Sequence, residues 1–149
     1  RGLKILSWVL GAKGEIIPIT TDDAVLCAKL KNNTLLVGEG KIDVEDPENI
    51  ENIFYHSKVT LDIKAEKAIL EADYVIICPG SFYTSILPNL IVEGFKEAMV
   101  KSNTKIIVIE NQGEKEVEDY LKEIEKYIGK PVDTFISKDN RQLFHEIHF

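Results

Sequence analysis

Apolar residues change their spacing along this chain, and each change marks a predicted element. Leu3, Ile5, Leu6, Val9 and Leu10 suit one face of a short helix over residues 3–10, which Gly11 or Gly14 would end. Ile16, Ile17 and Ile19 predict a strand over residues 15–20, and Pro18 within it points to an edge position or a bulge. Residues 24–30 and 34–37 flank Lys31-Asn32-Asn33. Asparagine tolerates positive φ, so this pattern predicts a hairpin. Residues 42–52 are polar, contain Pro47 and read as a loop, and residues 53–61 hold a further short strand.

The second half alternates more regularly. Alanine and charge dominate residues 65–72, a short helix. Residues 73–78 form a continuous apolar run, the pattern of a strand buried on both faces. Residues 85–102 are helical, with Leu87, Leu90, Ile91, Phe95, Ala98 and Met99 on one side. Gly94 weakens the centre, so one helix and two consecutive helices are equally compatible. Residues 105–109 repeat the buried-strand pattern. Val117, Leu121, Ile124 and Ile128 predict an amphipathic helix, stopped by Gly129 and Pro131. Residues 132–137 read as a third strand, and residues 139–149 as an irregular tail with a last strand near 144–149. From residue 65 onward the order is helix, strand, helix, strand, helix, strand. That is an α/β pattern with a parallel sheet, to which the upstream hairpin is an antiparallel appendage.

Composition narrows the function classes. The length of 149 residues fits a single domain over 1–149. A net charge of −7 without a basic cluster argues against nucleic acid or an anionic membrane surface as partner. No apolar run approaches the roughly 20 residues that span a bilayer. Cys27 and Cys78 stand in strand-like contexts, which suits buried, reduced thiols and a cytoplasmic location rather than a disulfide. The chain begins Arg1-Gly2-Leu3 and its single methionine is Met99, so it is expected to be a piece of a longer protein. A partial fold would leave apolar surface uncovered, notably the helix at 3–10, which keeps a homo-oligomer open.

Candidate chemistry collects where parallel strands end, because their carboxyl ends share one edge of the sheet. The three expected ends are Cys78-Pro79-Gly80-Ser81, Glu110-Asn111-Gln112 and Ser137-Lys138-Asp139. Gly80 permits a tight turn and close approach of backbone to a ligand. Ser81, Thr84 and Ser85 offer hydroxyls where a helix N-terminus would present amides and a positive dipole end, a setting for phosphate or another oxyanion. The same residues equally serve as a plain cap and turn. No lysine stands at a phosphate position and no three spaced glycines occur, so neither a Walker loop nor a dinucleotide fingerprint is present. Two other groupings are weaker. His145 and His148 have helical ligand spacing without a third partner, and Asp22-Asp23 more simply makes a turn than holds a divalent ion.

The run ADYVIICPGSFYTSILPNLIVEGFKEAM resembles the CofD-like family of 2-phospho-L-lactate transferase, in its gluconeogenesis-factor branch. GEIIPITTDD, AKLKNNTLLVGEGKI and KAILEAD resemble the same branch in the same order, so the likeness covers roughly residues 1–112. The resemblance implies a Rossmann-like α/β fold that is incomplete here, since the family's N-terminal half carries a glycine-rich loop on its first strand. It also implies a cytoplasmic protein that binds a nucleotide sugar and acts in cell shape and growth on gluconeogenic carbon sources. The transferase branch instead moves a phospholactyl group onto a deazaflavin, which implies a divalent metal such as Mg. A third expectation is a fragment that keeps the fold and has no site of its own. The residues expected to hold the phosphorylated ligand are Gly80, Ser81, Tyr83, Thr84, Ser85, Asn89 and Asn111, and no catalytic residue is assigned. The chain departs from the branch after residue 109. Glu110-Asn111-Gln112-Gly113-Glu114 replaces a longer Met-Thr-Gln-Pro-Gly-Glu-Thr-like loop, and Asp119-Tyr120 stands near the place of an Asp-His pair.

Overall fold

The computed structural model describes residues 11–109 and 117–136, together with Ile5, Trp8 and Val9. An antiparallel sheet comes first: β1 (Leu26–Leu30), β2 (Leu35–Val37) and β3 (Ile50–Tyr55), in the order β2-β1-β3. The β1–β2 hairpin turns where the sequence predicts, with Asn33 at φ 66° and Thr34 N donating to Asn32 Oδ1 at 2.9 Å. Ala28 faces Leu36 on one side and Ile53 on the other, so β1 is the central strand.

Two upstream expectations are corrected. Residues 42–52 are not a plain loop. They close α1 (Glu39–Ile42), contain a 3₁₀ turn over Pro47–Asn49 and open β3 at Ile50. Pro47 starts that turn rather than breaking structure, and Asp46 caps it by accepting from Glu48 N at 3.0 Å. Residues 15–20 form no strand. Proline removes one ladder donor, and the segment is instead fastened at single points. Asp62 N donates to Ile19 O at 2.9 Å, and Asp22 Oδ2 accepts from both the amide and the hydroxyl of Thr60 at 2.8 Å each.

The parallel half follows: α2 (Ile63–Glu71), β4 (Tyr74–Ile77), a π turn over Phe82–Ile86, α3 (Leu87–Leu90), α4 (Phe95–Lys101), β5 (Lys105–Ile109), α5 (Val117–Ile128) and β6 (Thr134–Ile136). The strands run β4-β5-β6, all parallel. Asp62 caps α2 through Lys64 N at 2.8 Å. Gly94 adopts φ 95° immediately before α4, so the predicted helical stretch is divided there. Asp133 fastens the β5–β6 entry, accepting from Ile106 N with its side chain at 2.7 Å and donating from its own amide to Ile106 O at 3.0 Å.

β5 is buried as expected, but β4 is not. Tyr74 and Ile76 are 38% and 39% exposed. A continuous apolar run is covered on both sides only in the interior of a sheet, and among the described residues β4 is an edge strand with β5 as its one neighbour. The cysteines divide similarly: Cys27 is buried, whereas Cys78, just past β4, is exposed. Ile5, Trp8 and Val9 are helical and exposed; the rest of the predicted helix at 3–10, the strand ends at 110–112 and 137–139, and the tail lie outside the described residues.

One hydrophobic core joins the two sheets. It runs from Leu26, Ala28 and Ile53 through Phe82, Ile86 and Leu90 to Met99, Val108 and Ile124. The antiparallel sheet, beside the parallel one as expected, supplies part of that core's wall.

The Asp22 clasp has a pH signature. Its carboxyl is held below the ordinary value of 3.8, first by the Thr60 amide and then by the Thr60 hydroxyl. The ionised form is the bonded one. Its stabilisation is present above the unfolded value and lost as pH falls through the lower folded value. We expect thermal melting of the native protein to fall more steeply below about pH 4 than that of Asp22→Asn. Equal slopes for the two proteins would contradict the clasp.

Candidate functional site

The turn after β4 is built by two opposed faces. Phe82, Ile86, Leu87 and Leu90 are buried in the core between the sheets. Ser85 and Asn89, four residues apart, share the exposed side, where Asn89 Nδ2 donates to Ser85 O at 2.7 Å. Ser81 O accepts from Ser85 N at 2.8 Å and from Ile86 N at 3.1 Å, so a single carbonyl takes an α-type and a π-type bond. Gly80 is required by proximity: a Cβ there would lie 2.9 Å from Ser85 Cβ.

A cleft of about 410 Å³ opens beside this turn. Residues 75–80 all border it, and because successive strand residues point to opposite faces, it is the edge of β4 that forms the wall. Ser85 and Ile86 line it from the turn, Asn89 and Leu90 from α3 and Phe95 from α4, with Ile17 and Ile19 from the upstream segment. The apolar part lies along β4. The polar part lies at its carboxyl end, where Gly80, Ser85 and Asn89 meet. None of the described lining residues is charged. An oxyanion here would be held by amides, a hydroxyl and a carboxamide.

Of the seven expected ligand residues, Gly80, Ser85 and Asn89 are brought together. Thr84 is not with them: it is buried on the opposite side, its Oγ1 donating to Asp43 Oδ1 at 2.9 Å. Tyr83 packs against the core, with its ring edge-on to Phe82 at 5.3 Å. Ser81 makes no side-chain cap bond and does not line this cleft. Asn111 lies outside the described residues. Of the two arrangements open for residues 85–102, the structure has the divided one, so the helix N-terminus at this turn belongs to the four-residue α3 and its dipole is small.

Sequence reasoning missed the supports. Tyr55 Oη donates to Pro88 O at 2.9 Å across 33 residues of sequence. Helix α3 ends at Leu90, so this carbonyl would otherwise lack a helical partner. Burial raises the Tyr55 hydroxyl above its ordinary 10.0, which keeps it a donor. Neither Tyr55 nor Asp43 carries a local signal of this role. For the divalent metal of the transferase reading, the described residues of this chain gather no ligand set. The cleft's described lining has no carboxylate, and no three metal-binding side chains gather among the described residues. His145 and His148 lie outside them.

The sequence matches the family described as 2-phospho-L-lactate transferase CofD over residues 1–147. The chain belongs to the CofD family. Among CofD-family relatives, it is 34% identical over 154 residues to a putative gluconeogenesis factor of Thermotoga maritima, covering 99% of this chain and 48% of that protein. It is 41% identical over 106 residues to one from Thermoanaerobacterium thermosulfurigenes, covering 68% of this chain and 33% of the other. A crystal structure of a UPF0052 family member from Bacillus halodurans superposes with a TM-score of 0.78 at 28% identity, over 92% of this chain and 47% of that one. The chain thus spans about half or less of the relatives it matches. No helix among the described residues is long and apolar enough to cross a membrane.

Gly80→Ala forces its new methyl against Ser85 Cβ, which sits too close to the backbone to swing aside. We expect a loss of stability of about 1–3 kcal/mol by denaturant titration. A neutral substitution would show that the turn has slack at this contact.

Proposed function

We propose that this CofD-family chain supplies one wall of a nucleotide-sugar site. Gly80, Ser85 and Asn89 grip the phosphates, and the apolar stretch along β4 takes a ring of the ligand. The observation that carries this reading is the convergence of those three residues at the carboxyl end of a parallel strand, in a cleft with no charged described lining. Neutral donors suit a diphosphate that must be held and released. The kinship with gluconeogenesis factors supports a binding and regulatory role in the cytoplasm, bearing on cell shape and growth on gluconeogenic carbon sources.

One observation favours a second reading. Among the described residues β4 offers an open, apolar edge along the cleft, and the chain spans about half of its relatives. In that case the cleft seats further parts of the CofD fold, and this segment has no site of its own.

Calorimetric titration of the full-length protein with UDP-glucose, with and without Mg²⁺, separates the readings. We expect binding without turnover, weakened about tenfold by Ser85→Ala through loss of a bond to a charged group. Metal-dependent group transfer would replace the binding role with a transferase. Binding unaffected by both Ser85→Ala and Asn89→Ala would move the ligand elsewhere and leave the second reading standing.

A further inference from the structure

The turn after β4 sits between two windings. The bond from Ser85 N to Ser81 O belongs to an α-helix, and the longer bond from Ile86 N to the same oxygen belongs to a π turn. Settling into the α register would pass Ile86 N from Ser81 O to Phe82 O. It would also turn the residues that follow by about 100° around the axis, the angle of one residue. Ser85 and Asn89, four residues apart, would stay on one side of the helix but turn away from the cleft. A π turn is uncommon on its own, so something outside the turn has to hold it.

The holding contact comes from the antiparallel unit, 41 residues earlier in sequence. Thr84 is 9% exposed, and its hydroxyl donates to Asp43 Oδ1 at 2.9 Å. Asp43 closes α1, with its own amide bonded to Glu39 O at 2.8 Å, so the carboxylate is carried on a fastened backbone. Tyr55 Oη pins the far side of the turn at Pro88 O. Burial alone would be served at least as well by valine, which has nearly the shape of threonine without a hydroxyl to satisfy.

We infer that Asp43 and Thr84 are a positioning pair that holds the turn in its π register and thereby sets how Ser85 and Asn89 meet the ligand. This rests on the reading that the ligand sits at those two residues. It makes the antiparallel unit a control point for a site that it does not line through either residue of the pair.

The test uses the full-length protein and five variants: Thr84→Val, Thr84→Ser, Asp43→Ala, Asp43→Asn and the Thr84→Val/Asp43→Ala double variant. The NMR scalar coupling across the bond from Ile86 N–H to Ser81 O reads the π register directly, since the α register pairs the same amide with Phe82 O, and titration with UDP-glucose reads its consequence. Thr84→Val and Asp43→Ala should each lose that coupling and weaken binding by about tenfold, the worth of one charge-assisted bond. Amide exchange in β1 and β5 should stay unchanged. Thr84→Ser and Asp43→Asn keep the hydroxyl and an acceptor oxygen, and should stay within about twofold of the native protein. The double variant should be no worse than the weaker single one, because both remove one bond. A retained Ile86–Ser81 coupling in Thr84→Val and Asp43→Ala overturns the inference. So does a uniform rise in exchange across β1 and β5, which would mark general loosening. If the native protein binds no UDP-glucose, the nucleotide-sugar reading fails by itself, and the coupling still decides whether the pair holds the register.

Discussion

Burial of one apolar stripe, Phe82, Ile86, Leu87 and Leu90, between two sheets is the constraint on which this structure turns. These four side chains join the antiparallel and parallel halves into one core. Truncating a ring buried like Phe82 to alanine removes about 3–5 kcal/mol in comparable cores. Phe82 also meets Tyr120 of α5 edge-on at 5.6 Å, which ties the turn to the far helix. With one side committed to the core, Ser85 and Asn89 are left on the outer side, and the polar supports of the turn fix how they are presented.

The two halves are joined by polar contacts as well, and these cluster around the same turn. Tyr55 reaches Pro88, and Asp43 holds Thr84. The break between α3 and α4 is stitched to the segment after β3: Glu93 N donates to Val59 O at 3.0 Å, and Leu61 N to Glu93 O at 2.9 Å. Each bond closes a long loop in the chain, and such loops are entropically expensive to close one at a time. Once the core has brought the halves together, the bonds form at little further entropic cost.

Membership of the CofD family gives the open edge of β4 its context. The chain corresponds to about half of the Thermotoga maritima and Bacillus halodurans proteins. A strand with half-exposed Tyr74 and Ile76 is unusual as a free sheet edge, since unpaired edges invite association. The polar end of the cleft, at Gly80 and Ser85, and the apolar stretch along β4 are adjoining parts of one surface.

Much of the fold was legible in the sequence, and for local reasons. Asn32 and Asn33 marked the hairpin, Gly129 marked a helix end, Gly94 left the helical stretch open to division, and the alternation after residue 65 implied three parallel strands; each depends on backbone freedom or periodicity within a few residues. The strand over 15–20 was misread because apolar spacing resembles a strand whether or not a partner is present. The location of the candidate site was legible too, since Gly80 and its hydroxyl neighbours follow a buried-type strand. The sequence by itself therefore determined the hairpin and the parallel half, and it singled out the turn after the first parallel strand as the candidate site. Only the tertiary structure decided that Ser85 rather than Thr84 faces the cleft, that Cys78 is exposed, and that Asp43 and Tyr55 support the turn. Local pattern governs which residues coil together. The direction a hydroxyl points depends on contacts 33 and 41 residues distant, which exist only once the core has closed.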